Sequence, residues 1–390
     1  MKIKFKLFYF MQFLSAGVFG PYFALYLYQN GFSGGQIGLL LGTMPIVVML
    51  TQPVWSYFSD VLQTRRTILV LSNIAMGLSI LSLGYSDTFA GVYVCAIVFA
   101  IFRAPIQPIG HALVFDFLEE EQKPEEFGLL RLWGSLSFAI SSMLIGGLLI
   151  EDFLSYLPLI LFTIYALTGL TTCLLPETKG RFSYSILEGL RFLPSNPEFF
   201  LFLVGSIFIG ASLGIVMNYQ ALFLGILGAS PWVVGITVSL QAILEIPLML
   251  AAPSLLRRFS WSMLILVGAI VLPIRWILYM LVQNPVWIIP TQLFHSIAIV
   301  SFMVVGVSLV NRQMHAKWRA TSQGLYSVSL DGVGSGLGVF FAGNVLQLFG
   351  VRAVWMLNLG IGLIGLAIIF LALKRFDVKK TKPIELEAAS

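Results

Sequence analysis

Charge is scarce in this chain, and cysteine and histidine are scarcer still. Asp, Glu, Lys and Arg make up only 11% of the 390 residues, against 58% hydrophobic ones, a balance that excludes a soluble multidomain protein of this length. The two cysteines, Cys95 and Cys173, both lie inside apolar stretches. They offer neither a disulfide framework nor a metal-ligand spacing and read as small apolar side chains. A phosphate loop and a nucleophile spaced for an adjacent base are missing as well, which removes the usual grounds for an enzyme. No catalytic residue, metal site or cofactor is expected.

What is present is a succession of apolar runs of 18 residues or more, each able to cross a hydrocarbon layer of about 30 Å. Their spacing predicts twelve helices, roughly 5–29, 35–58, 66–84, 88–117, 127–150, 155–174, 197–224, 231–256, 260–281, 286–311, 319–347 and 351–374. The expected fold is an all-α membrane protein with twelve transmembrane helices. The first run follows Lys2, Lys4 and Lys6, like the basic start of a signal peptide. It continues through large residues to Tyr28 with no small-residue cleavage site, so it reads as a retained span.

The formal charge of +5 is explained by placement. All lysines and arginines except Arg103, Arg275 and Arg352 fall at the amino-terminus or beside every second connection. The positive-inside rule then puts both termini in the cytoplasm of a multi-pass plasma-membrane protein. The excess speaks of a lipid bilayer as partner, not of nucleic acid. Tryptophans at the helix ends, among them Trp232, Trp287 and Trp355 on the opposite side, are expected as interfacial anchors.

The longest internal connection divides the spans six and six. The expected organisation is a six-helix bundle over 1–174, a cytoplasmic loop over 175–196, a second bundle over 197–375 and a cytoplasmic tail over 376–390. An internal repeat supports two related halves. With an offset of 197 residues, nine positions within 15–38 recur, including Gly17/Gly214, Tyr22/Tyr219, Leu27/Leu224, Gly31/Gly228, Ser33/Ser230 and Gly38/Gly235, where chance gives about two. Two pseudo-symmetric bundles with a site between them are what a rocking transporter needs, and a monomer suffices for it.

Five ionisable side chains, Arg103, Glu245, Arg275, His295 and Asp331, lie well inside the apolar runs. A charge at membrane depth costs several kcal/mol unless it is paired or faces water. At 1.5 Å per residue, Glu245, Asp331 and Arg103 lie about 21–24 Å from the outer helix ends, and Arg275 and His295 about 9–14 Å. A cluster of Glu245, Arg275 and His295 fits that geometry, and Asp331 joins Arg103 at the level of Glu245. Glu245, flanked by Leu244, Ile246 and Leu248, is the expected proton carrier, because desolvation penalises its charged form. Arg275 suits either Glu245 or a carboxylate cargo. His295 and Asp331 complete the proton-coupling set, each with a static hydrogen-bonded role as its alternative. Arg103, Tyr22, Asn218 and Gln241 are candidate substrate contacts, Gln12 and Gln220 are further polar groups facing the cavity, and Arg131 reads equally as a cation snorkelling to the interface.

Ser56-Tyr-Phe-Ser-Asp60 with Arg65-Arg66 resembles the helix 2/3 loop signature of the major facilitator superfamily, a resemblance that implies gating roles for Asp60 and Arg65. Phe127-Gly-Leu-Leu-Arg131-Leu-Trp133-Gly134-Ser135 is similar to the motif of the phenylpropionate permease family. Pro105-Ile-Gln-Pro108, Glu245, Arg275-Trp276 and Phe294-His295-Ser296 fit the same family. The likeness spans nearly the whole chain and places it beside lactose-permease-like and nucleoside proton symporters. It implies the major facilitator fold and a gate pair of Asp116 with Arg131. The chain departs at two positions: His111 stands where the family often has Asp, and is a further substrate-contact candidate, and Ala298 stands where the lactose permease pattern has a carboxylate.

The expectation is secondary active transport, with a proton as coupling ion and a small organic molecule, such as an aromatic or other carboxylate, entering the cell by alternating access. The alternatives are drug/proton efflux on the same fold and a membrane receptor or enzyme that moves nothing.

Overall fold

The computed structural model describes residues 1–122, 126–147, 154–177, 196–313 and 319–381. Most of the 175–196 connection and of the tail beyond 376 therefore lies outside the described residues. The described residues are helical and contain no strand. Twelve helices are long and apolar enough to cross a membrane. They are α1 (Lys2–Gln29), α2 (Gly34–Ser59), α3 (Arg65–Gly84), α4 (Phe89–Glu120), α5 (Phe127–Gly147) and α6 (Leu154–Thr172), then α7 (Pro197–Ile226), α8 (Pro231–Arg258), α9 (Trp261–Leu281), α10 (Pro285–Arg312), α11 (Ser322–Phe349) and α12 (Val351–Phe376). An even number of spans returns the chain to the side on which it began; we term that side the terminal face and the other the far face.

Local chemistry sets the boundaries and breaks. Pro105, which has no N–H to donate, divides α4 between Phe89–Arg103 and Ile106–Glu120. α10 and α11 each contain a π-helical segment, Ser301–Gly306 and Val328–Gly334. Tyr326 of α11 donates its hydroxyl to the Phe302 carbonyl inside the first of them at 2.7 Å, serving a backbone group that the wider turn leaves accessible.

The 197-residue repeat becomes a set of paired structural devices. Gly31 and Gly228 end α1 and α7 at φ +82° and +74°, and the following amides, of Phe32 and Ala229, reach back to the carbonyls of Leu27 and Leu224. This is one helix stop used twice, and it needs the left-handed conformation that glycine adopts without cost. Tyr22 donates to the Ser142 carbonyl at 2.5 Å, and Tyr219 donates to the Val339 carbonyl at 3.2 Å, the same bond displaced by the repeat.

The halves meet along two seams at the far face, and the seams obey the same offset. A Cβ on Gly38 of α2 would lie 2.7 Å from the Cα of Gly343 of α11; one on Gly146 of α5 would lie 2.2 Å from the Cα of Gly235 of α8. One turn deeper, Gly42 lies against Gly336, while Ser239 donates to the Ala139 carbonyl at 2.6 Å. Nearer the terminal face α2 exposes Val54, Tyr57 and Phe58. The described close contacts between the halves thus gather toward the far face. Trp232 and Trp287 are exposed, as interfacial anchors should be, but Trp355 is wholly buried and stacks on Trp276 with centroids 5.5 Å apart. Sequence position alone does not distinguish a helix-end tryptophan facing lipid from one turned into the bundle.

Gly146→Val or Gly343→Val is expected to hinder far-face closure. Overpacking of this kind costs about 1–3 kcal/mol, which shifts a two-state equilibrium by about 5- to 150-fold. With Cys95 and Cys173 replaced by Ser, a cysteine at Met217 should react faster with an impermeant thiol reagent applied from the far face. Unchanged labelling would show that these seams do not hold the closed state.

Candidate functional site

Polar side chains gather into a cluster built mainly by the second half. α9 supplies Arg275 and Tyr279 at i and i+4, α10 supplies Gln292 and His295 at i and i+3, α7 supplies Gln220, and α8 supplies Gln241 and Glu245 at i and i+4. Each pair falls on one helix face.

Arg275 is completely buried. The two hydrogens of its Nη2 are shared among Gln220 Oε1 at 2.9 Å, Tyr279 Oη at 2.8 Å and Gln292 Oε1 at 2.7 Å, and its Nη1 meets His295 Nδ1 at 2.8 Å. The rings of Trp276 and Tyr279 lie 5.0 and 5.1 Å from the guanidinium carbon. A cation in this position is tolerated because neutral acceptors and aromatic faces replace its hydration.

That geometry fixes the proton on His295. An arginine only donates, so Nδ1 must accept and the ring hydrogen sits on Nε2. Nε2 points toward Glu245, with Oε1 3.8 Å away, beyond direct hydrogen-bond range. Glu245 keeps 21% of its side chain exposed, whereas His295 is buried. The structure therefore brings Glu245, His295 and Arg275 together in that order. Arg275 holds the imidazole that faces Glu245.

Arg131 approaches from the other half. It stands one turn inside the start of α5, yet it does not turn down to the terminal interface. Its Nη1 reaches Ser135 Oγ, one turn deeper, at 3.5 Å, and its guanidinium lies over the Phe13 ring at 3.8 Å. A Cβ on Gly134 would fall 2.6 Å from the Phe13 ring and 3.0 Å from Arg131 Nη1. The Arg131–Gly134–Ser135 spacing thus has a physical sense: the glycine leaves room for the ring, the ring supports the guanidinium, and the serine steers it inward. So aimed, Arg131 lies within electrostatic reach of Glu245 across the interface.

The gate pair expected of Arg131 and Asp116 is replaced by another. Asp116 forms an ion pair with Arg65, joining α4 to α3 within the first half. The two residues are distant in sequence, so nothing in their spacing announces the pair. The side chain of Asp60 lies outside the described residues.

The remaining candidates are dispersed. Tyr22 is fully buried and its hydroxyl is committed to Ser142. Asn218 donates to its own helix at the Gly214 carbonyl, 2.9 Å away. His111 packs between Tyr9 and Phe127, with ring centroids 6.0 and 5.4 Å apart, and lies near Arg131. Arg103 is exposed and sits 6.0 Å from the Phe19 ring. Asp331, in the second π segment, is also exposed, and accepts from Ser327 at 3.2 Å; it is not joined to Arg103. Gln241 and Gln220 share a small cavity with Pro21 of α1. Sequence reasoning overlooked Tyr279, Gln292 and Phe13. The first two were within reach, since each lies at helical spacing from a residue already singled out.

The model of the MFS_1 like family matches residues 2–357. The maltose permease of Geobacillus stearothermophilus is 25% identical over 385 residues, covering 96% of this chain and 95% of the permease. A probable 3-phenylpropionic acid transporter of Escherichia coli is 26% identical over 373 residues, covering 90% and 93%. The crystal structure of the nucleoside transporter NupG superposes with a TM-score of 0.85 at 18% identity, covering 96% of this chain and 99% of that one. The chain belongs to the MFS_1 like family and is a multi-pass membrane transporter of the major facilitator fold, not an enzyme.

Proposed function

We propose that this transporter carries a small organic carboxylate into the cell together with a proton. The observation that supports the reading is the place of Glu245, a partly exposed carboxylate between Arg131 of one half and the His295–Arg275 pair of the other. With Glu245 ionised and no cargo, its charge balances Arg131. With Glu245 protonated, Arg131 is left to take the carboxylate of a cargo. Both states are neutral at the pair. The two mixed states, proton without cargo and cargo without proton, leave a net charge of one sign between the halves. Closing the halves around an unbalanced charge is costly, so only the balanced states pass through the closed form, and proton and anion travel together.

The lysines and arginines gathered on the terminal face support a cytoplasmic placement of that face. The probable 3-phenylpropionic acid transporter among the relatives supports an aromatic carboxylate as the first cargo to try.

Addition of 3-phenylpropionate to unbuffered, de-energised right-side-out vesicles is expected to alkalinise the medium. Glu245→Gln should abolish this signal and pH-driven accumulation while exchange of internal for external 3-phenylpropionate continues. Normal accumulation by that variant would remove Glu245 from proton coupling, and acidification would indicate antiport.

Arg131 should respond to geometry as well as charge. Arg131→Lys keeps the cation but loses the planar fork lying on Phe13. Loss of a charge-assisted hydrogen bond of about 1.5–3 kcal/mol predicts a rise of about 10- to 150-fold in the half-saturating 3-phenylpropionate concentration. Arg131→Gln should bind it less well still. Wild-type affinity in both variants would place the carboxylate elsewhere.

A further inference from the structure

Beyond the carboxylate reading, on which it builds, the site has a second polar element that the charge argument leaves unused. Where α1 meets α7 and α8, a cavity of about 10 Å³ is enclosed by Pro21, Val216, Met217, Val238, Gln220 and Gln241 among others. Pro21 belongs to the first half and the other named residues to the second, so the cavity lies between the surfaces that separate when the halves rock.

The orientation of Gln220 is fixed from behind. Its Oε1 accepts from Arg275 Nη2 at 2.9 Å and from the Tyr279 hydroxyl at 2.8 Å. Two donors on one oxygen commit that end of the amide, and the nitrogen end must point away from them. That nitrogen is buried and has no partner in the protein, and the residue as a whole is only 2% exposed. A buried amide hydrogen without an acceptor is costly, and here the surrounding walls are largely apolar. The cavity has room for about one oxygen atom. Gln241 lies one turn above Glu245 on α8, so the cavity is about 6 Å further along that helix than the carboxylate level.

We propose that this cavity is a subsite for one uncharged oxygen of the cargo, a hydroxyl, ether or carbonyl oxygen, accepting from Gln220 Nε2 with Gln241 beside it. The cargo is then a carboxylate with a compact apolar body and an oxygen at its other end, as in a hydroxyaryl alkanoate. In this arrangement Arg275 is a positioning residue: it never touches the cargo, and it holds the Gln220 amide in the one orientation that presents a donor. The same hydrogen-bonded chain ends at His295, whose Nε2 faces Glu245 across 3.8 Å, so the oxygen subsite and the proton site rest on one scaffold.

The test compares 3-(4-hydroxyphenyl)propionate, 3-phenylpropionate, uridine and maltose by thermal shift and tryptophan fluorescence on the purified full-length protein. The variants are Gln220→Glu, which keeps an acceptor for Arg275 and Tyr279 but turns the cavity-facing donor into an acceptor, and Gln241→Leu, which leaves the Arg275 cluster intact. Their unliganded melting temperatures report whether each still folds. The expected result is about ten-fold tighter binding of the hydroxylated acid than of its parent by the wild type, with the preference lost in Gln220→Glu and reduced in Gln241→Leu. Equal affinity for the two acids, or a preference that survives in both variants, would overturn the subsite and leave the cavity to a buried water. If uridine or maltose binds and neither acid does, the carboxylate reading fails, and the subsite is judged on that probe by the same loss in Gln220→Glu. Binding of none of the four by the folded wild type would overturn both.

Discussion

A single carboxylate between the two halves, Glu245, is the constraint on which the proposed coupling depends. Glu245 is placed where neither half can satisfy it alone: His295 and the buried arginine behind it stand on one side, and Arg131 reaches in from the other. In bulk water such charges would interact weakly and independently. Between two apolar bundles their electrostatic energies are large, and the sum of charge at one small place decides which conformations are cheap. The seams and the symmetry serve to open and close a compartment around that sum.

The two arginines illustrate how environment divides labour between identical side chains. Arg275 is surrounded by neutral acceptors on Gln220, Gln292, Tyr279 and His295, with no carboxylate in contact. Both its terminal nitrogens are engaged, while its buried Nε has no partner in the protein, an arrangement suited to holding other groups in place. Arg131 has one distant hydroxyl and an aromatic face, so most of its donors have no such commitment. A buried network with nearly every member satisfied gives rigidity; a cation supported on a ring and otherwise loosely held can take a partner and release it.

Much of this is legible in the sequence, and the exceptions share a cause. Helix number, the six-and-six division and the repeat follow from apolar run length and from the glycines that stop α1 and α7. Glu245, Arg275 and His295 stand out because charge in an apolar run is costly wherever it points. Side-chain direction is not legible. Distance along its own helix assigns Arg131 to the nearest interface, but Phe13 of another helix and Gly134 turn it inward. Asp116 is matched with the wrong cation because its real partner, Arg65, is brought near only by the packing of α3 on α4. Tyr22 resembles a cavity residue until its hydroxyl is found on Ser142. Each discrepancy concerns a contact between helices, which no single-helix periodicity encodes.

The repeat also separates what symmetry must preserve from what it must break. The seam contacts Gly38–Gly343 and Gly235–Gly146 exchange under the 197-residue offset, as do Gly42–Gly336 and Ser239–Ala139. Closing two bundles by a rocking motion loads both seams together, so a small residue is needed at each, and the duplicated pattern persists in both. The chemistry behaves in the opposite way. By the same offset Glu245, Arg275, Gln220 and Gln241 correspond to Val48, Leu78, Phe23 and Met44, and Arg131 corresponds to Val328. A second carboxylate with its own arginine in the mirrored position would make a second charge sum to balance, and a state neutral at one would not be neutral at the other. On the proposed reading, one proton site coupled to one cation across the interface avoids that conflict. The halves therefore agree where they touch, and differ where a charge must be counted only once.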